Sequence, residues 1–183
     1  DKRQFRYGIS QTISIITTTG FTITDLDNMG ILLPILIMLL AFVGACSGSV
    51  GGGIKAWRIN ILIRLAFDNI TKIMHPTAVS TIKFNGEKIE QKQIESVFSF
   101  VAIYVLIAIL FLLVLMFQNI DFYSAFSAVS ATLNNLGPGL GQFSDNYSSL
   151  EPAGKITLSL AMIIGRLEIF GFLLVLFPSF WKS

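Results

Sequence analysis

Two glycine tracts gather the groups in this sequence best suited to handling an ion: TTTGF at 17–21 and NNLGPGL at 134–140. Thr17, Thr18 and Thr19 bring hydroxyl oxygens. Gly20, lacking a Cβ, can turn its backbone carbonyl toward an axis, with Phe21 next in line. Carbonyls of such an extended tract can replace the hydration shell of a cation. None of these oxygens titrates, which suits a hard monovalent cation in passage rather than one held in place. Asn134, Asn135, Leu136 and Gly137 occupy the corresponding positions of the second tract.

Each tract follows a semi-apolar segment, FRYGISQTISII at 5–16 and FYSAFSAVSATL at 122–133. Both are too short to cross a bilayer and have the length of a re-entrant or buried helix. The C-terminal end of such a helix carries about half a negative charge, a further attraction for a cation. Non-helical backbone at membrane depth is tolerated only inside protein or beside a watery cavity. Setting Gly20 on Gly137 brings Phe5 onto Phe122 and Ser10 onto Ser127. The order of short helix, polar glycine tract, acidic linker and long apolar segment then recurs, the mark of an internal repeat. Read singly, either tract is an ordinary turn; the recurrence favours an ion path.

A third tract, GACSGSVGGG at 44–53, has five glycines and two serines in ten positions. Glycine costs about 1 kcal/mol per residue relative to Ala inside a helix, so this stretch should be unwound. It is either a loop just past a helix end or a flexible intramembrane loop built from Cys46, Ser47, Gly48, Ser49, Gly51, Gly52 and Gly53 that gates the path. It is not a phosphate-binding loop: Ile54 follows Gly53 where a lysine is needed, and no buried strand precedes the G-x-G-x-x-A match at Gly51, Gly53 and Ala56.

The elements that must hold these tracts are apolar. Of 183 residues, 53% are hydrophobic and 13% charged, with a mean hydropathy of +0.71. A soluble domain has about 25% charged residues, so a soluble enzyme, a disordered tail and a nucleic-acid binder are excluded. A net charge of +2 is too small for a surface that tracks phosphates. The single Cys46 and single His75 build neither a disulfide nor a metal cluster. Three stretches can enter hydrocarbon: 29–46, which contains Pro34; 97–117, without one charge; and 153–181, which holds Arg166 and Glu168. On a continuous helix those two charges point about 200° apart and do not pair. Arg166 has donors suited to the carbonyls of an unwound glycine tract, with a purely structural ion as the competing reading. The role of Glu168 stays open.

Seven basic residues between 55 and 92 oppose Asp68, Glu87 and Glu90, whereas Asp25, Asp27, Asp121, Asp145 and Glu151 dominate the other connections. The positive-inside tendency makes 55–95 cytoplasmic, although the basic Lys2, Arg3 and Arg6 run against that orientation. The chain begins at Asp1 with no signal-peptide pattern and is expected to be the C-terminal part of a longer protein.

The strings SIITTTGFTITD at 14–25, CSGSVGGGIKAWRI at 46–59, MHPTAV at 74–79, IKFNGEKI at 82–89, ATLNNLGPGLG at 131–141 and GRLEIF at 165–170 cover most of the chain in order. The sequence resembles the Trk/Ktr/HKT superfamily of potassium transporters, most closely the TrkH/TrkG type of membrane subunit. The resemblance implies an all-α polytopic membrane protein of M1–pore helix–filter–M2 repeats, with re-entrant pore helices and a broken M2. Residues 1–72 would then be the third repeat without its M1, 73–93 a cytoplasmic connection, and 94–183 the complete fourth repeat. It implies a potassium filter at Thr17, Thr18, Thr19, Gly20, Phe21, Asn134, Asn135, Leu136 and Gly137, and a gate at 45–53 faced by Arg166. It implies no enzyme activity and no cofactor in this chain, with potassium as transported ligand. Lipid, a second copy in a homodimer and a cytosolic nucleotide-binding regulatory subunit of TrkA type are the implied partners, in a bacterial inner (plasma) membrane, with no nucleic acid. A secondary transporter of another solute, with broken helices at its midplane, is the alternative; it would want a roomier, less hydroxyl-rich site.

Overall fold

Apolar runs of different length set the architecture, because a helix gains only 1.5 Å per residue. The computed structural model describes residues 2–21, 32–44, 51–75, 83–84, 87–144 and 146–176. Helices α1 (Lys2–Ile16), α2 (Leu32–Val43) and α3 (Ala56–Met74) precede an antiparallel hairpin of two-residue strands, β1 (Lys83–Phe84) and β2 (Glu87–Lys88), in which Lys83 pairs with Lys88. Helices α4 (Gln91–Met116) and α5 (Phe122–Leu133), a 3-10 turn at Gly141–Phe143, and helices α6 (Pro152–Arg166) and α7 (Glu168–Leu176) follow. Apart from the hairpin the elements are helical, in keeping with an all-α chain.

Among the described residues, α4 is the one helix long and apolar enough to cross a membrane. Its 26 residues reach about 39 Å, past the roughly 30 Å of a bilayer core. The 12 residues of α5 reach only about 18 Å, and this short helix is the most buried of the described elements. Nine of its residues are buried, and α2, α4 and α6 pack around it. Its Ser and Ala side chains let those neighbours come close. The buried hydroxyls are all spent within protein: Ser127 Oγ donates to Ser124 O at 2.9 Å, Ser130 Oγ to Met38 O at 3.2 Å and Thr132 Oγ1 to Ala128 O at 2.7 Å. Asp121 caps α5 by accepting from Ser124 N at 2.9 Å.

One expectation changes. The stretch 153–181 is not one helix: it breaks at Leu167, and Glu168 begins α7 with φ at 52°. A continuous helix therefore says nothing about where Arg166 and Glu168 point. The stretch 29–46 contains α2, with the buried Pro34 in its first turn, where a missing N–H costs no intrahelical bond. Within the polar stretch 55–95, the described residues form α3, the hairpin and the first turn of α4. Residues 22–31, 45–50 and 177–183 lie outside the described residues.

Candidate functional site

Helices α1 and α5 end in the same way. Thr17 N bonds back to Ile13 O (2.9 Å) and Thr18 N to Ile15 O (3.0 Å); Thr19 N and Gly20 N then converge on Ser14 O (2.9 and 3.5 Å). After α5, Asn134 N reaches Ser130 O (3.2 Å), Asn135 N reaches Thr132 O (3.1 Å), and Leu136 N and Gly137 N converge on Ala131 O (2.8 and 3.4 Å). Every bond in one set maps onto the other by the single offset that sets Gly20 on Gly137. The dihedrals follow suit, with positive φ at Thr18 (54°) and Gly20 (78°), then at Asn135 (55°) and Gly137 (102°). Left-handed residues let the chain leave a helix while filling the orphan carbonyls of its last turn. The side chains at the first tract position also agree: Thr17 Oγ1 donates to Ile13 O and Asn134 Nδ2 to Ser130 O, both at 2.7 Å.

The two tracts touch. A Cβ on Gly20 would lie 2.3 Å from Leu136 O, so only glycine permits this approach. Below, the glycine tract comes up against the second one: a Cβ on Gly52 would lie 2.5 Å from Asn134 O, and one on Gly53 would lie 3.2 Å from Asn134 Oδ1. Asn134 is wholly buried, and its Oδ1 accepts from Tyr104 Oη of α4 at 2.6 Å. Leaving that oxygen unpaired in a dry position would cost about 1–3 kcal/mol. Tyr147 Oη donates to Gly137 O at 3.0 Å from the connecting loop, where burial pushes its hydroxyl up to about 12. Phe21 is exposed, and Thr17 and Thr19 bond each other at 2.7 Å on an exposed face.

The glycine tract is anchored just after Gly53. Lys55, buried and with φ at 71°, donates through Nζ to Glu168 Oε1. Arg58 reaches Glu168 Oε2 at 2.9 Å and lies 4.0 Å over the Phe100 ring. Left-handed geometry at a non-glycine residue costs about 1–2 kcal/mol. Here two such residues, one on each side of the contact, are held by the ion pairs they make. Glu168, whose role the sequence left open, thus ties the start of α3 to the break between α6 and α7. Arg166 ends α6, a favourable place for a cation at a helix C-terminus, and its side chain is exposed. Of the residues proposed from sequence, Gly51, Gly52 and Gly53 are placed; Cys46, Ser47, Gly48 and Ser49 lie outside the described residues. Tyr104, Tyr147, Lys55 and Arg58 were not singled out. Tyr104 had left a signal, a polar tip inside an uncharged span; the others become visible only through their partners.

A membrane-length helix beside a buried short helix, with glycine tracts meeting where two short helices end, is the architecture of a helical membrane protein. The family model for TrkH, described as a cation transport protein, matches residues 2–182. The chain belongs to that family. It is 41% identical over 179 residues to the Trk system potassium uptake protein TrkH of Vibrio parahaemolyticus, covering 98% of this chain and 37% of that protein. It is 40% identical over 173 residues to the TrkH of Escherichia coli strain K12 (94% and 36% covered), and 32% identical over 170 residues to the TrkG of the same strain (93% and 35%). The crystal structure of the potassium transporter TrkH from Vibrio parahaemolyticus superimposes with a TM-score of 0.85 at 42% identity, over 93% of this chain and 36% of that one. The chain thus spans a little over a third of the length of these relatives.

Proposed function

We propose that residues 17–21 and 134–137 are two strands of a potassium filter in the pore-forming membrane subunit of a Trk-type potassium uptake system. The observation that carries this reading is the single offset relating the backbone hydrogen bonds and positive φ positions at the ends of α1 and α5, together with the contact of Gly20 on Leu136. Two copies of one backbone path, abutting side by side, are what a ring of carbonyls around an axis requires. The two helix C-termini then add their dipoles to the attraction for a cation.

In this reading the tract 45–53 closes the path beneath the filter, and Arg166 adds a fixed positive charge that opposes cation passage until the tract moves. Residues 55–95 face the cytoplasm of a bacterial inner membrane, and 55–93 meet a nucleotide-binding regulatory subunit of TrkA type. The subunit works as a homodimer, and lipid contacts the outer faces of its helices. Rubidium and sodium uptake by the full-length protein tests the filter. Gly20→Ser and Gly137→Ser should each lower the rubidium-to-sodium ratio; unchanged ratios for both would end the assignment. Arg166→Gln should raise basal flux in proteoliposomes without the regulatory subunit, and unchanged flux in folded protein would remove Arg166 from the gate.

A further inference from the structure

We propose that Tyr104 is a specificity-determining positioning residue: its hydroxyl fixes Asn134, and through it the path of the 134–137 tract above the glycine tract. The inference rests on the filter reading and concerns how one strand of that filter is held.

Asn134 is the first residue beyond α5, and each of its polar side-chain atoms is committed. Oδ1 accepts from Tyr104 Oη at 2.6 Å and Nδ2 donates to Ser130 O at 2.7 Å. The backbone carbonyl of Asn134 faces Gly52, and Gly53 lies beneath Oδ1. The residue is therefore clamped between α4 on one side and the glycine tract on the other. The equivalent residue of the other tract, Thr17, is exposed and bonds within its own segment, to Ile13 O and Thr19 Oγ1. The two tracts share a backbone path, and one of them carries this added strut from a neighbouring helix.

Tyr104 is itself immobilised. It is 2% exposed, with its ring stacked on Phe100 at 6.1 Å and edge-on to Phe42 at 6.1 Å. An apolar cavity of about 350 Å³ adjoins it, lined by Phe42, Ile54, Val129 and others, and supplies no competing hydrogen-bond partner. If the glycine tract swings aside, as the gating reading requires, Asn134 loses Gly52 and Gly53 as a floor. The Tyr104 hydroxyl is then the contact from outside α5 that still holds the Asn134 side chain, at the start of the strand. Selectivity should depend on Tyr104 while the path is open.

The experiment measures rubidium and sodium uptake by the full-length protein carrying Tyr104→Phe, Asn134→Thr, or both. Threonine at 134 reproduces the residue of the other tract, which bonds back to its own helix and leaves Tyr104 unengaged. Each single variant should lower the rubidium-to-sodium ratio about fivefold, the equivalent of one net hydrogen bond, while rubidium flux persists. The double variant should fall no further than either single one, because both changes cut the same contact. Falls that multiply, or an unchanged ratio in Tyr104→Phe, overturn the proposal. If Tyr104→Phe fails to insert, Asn134→Thr alone decides by the same ratio. Gly20→Ser run in parallel separates the two levels. If it loses selectivity while the Tyr104 and Asn134 variants keep theirs, the strut is wrong and the filter stands. If Gly20→Ser also keeps its ratio, both readings fall.

Discussion

The tract after α1 and the tract after α5 share their positive-φ positions and backbone hydrogen bonds, yet their surroundings differ sharply. Helix α5 is buried from Ser124 to Leu133 except at Phe126, which is half-buried, whereas α1 exposes Tyr7, Ile9, Ile13 and Ile16 and, among the described elements, packs on α2. A helix ending in two left-handed residues needs little outside help to trace its path, since its own orphan carbonyls supply the acceptors. Rigidity is another matter: it comes from neighbours such as Tyr104, Gly52 and Gly165, whose added Cβ would sit 2.0 Å from Leu133 O. The backbone path is local; what fixes it in place is tertiary.

The largest expected contrast lies between the two central glycines. Alanine at either position meets left-handed strain of about 1–2 kcal/mol. At Gly20 it also meets Leu136 O at 2.3 Å, whereas at Gly137 it meets nothing within 4 Å. Overpacking adds about 1–3 kcal/mol, so Gly20→Ala should lower the melting temperature in detergent well beyond Gly137→Ala. Equal shifts would mean that the two tracts do not touch.

Glu168→Gln should come next. It removes the carboxylate charge shared by Lys55 and Arg58, whose side chains are 10% and 13% exposed, but Glu168 itself is 39% exposed and partly screened. A loss of about 1–2 kcal/mol is reasonable for such a pair. Because Gly53 leads into Lys55, the floor beneath Asn134 should loosen. Basal flux should rise along with the fall in melting temperature. A variant that melts earlier at unchanged flux would confine the ion pairs to stability and leave the 134–137 tract independent of them.

Asp121→Ala should have a smaller effect, about 1 kcal/mol for a lost cap at an exposed helix start. Hydrogen bonding from the Ser124 backbone N–H holds the Asp121 carboxyl below its ordinary value. A depressed folded-state pKa stabilises above the unfolded value and is lost as pH falls through the folded one. The difference in melting temperature between the parent and Asp121→Ala should therefore be full at neutral pH and shrink below the usual carboxylate range. A difference independent of pH would show that the cap does not act through its charge.

The smallest change should be Thr17→Val. Its hydroxyl bonds Ile13 O and Thr19 Oγ1 on an exposed face, where water can replace either partner, so stability should move by less than about 0.5 kcal/mol. A loss as large as that expected for removing the Tyr104 hydroxyl would erase the asymmetry between the tracts.

Composition and run length alone determined that this chain is a helical membrane protein, since too few charges and long apolar stretches leave bilayer and protein as the only surroundings available. Local spacing also determined the repeat: the Gly20-on-Gly137 register, chosen from residue types, is the register of the hydrogen bonds, because helix ends and left-handed turns are written within a few residues. The break at Leu167 was not legible, since EIFGFLLVL reads as a continuation of the helix before it, and only the pull of Lys55 and Arg58 on Glu168 gives the interruption a purpose. Those partners are more than a hundred residues away, and no local pattern specifies such a pairing. Likewise, Asn134 in sequence is one polar residue of a loop. Tertiary structure decided that it would be dry, clamped by Tyr104 and floored by Gly52, because burial depends on which helices arrive around a position and not on the residues beside it in the chain.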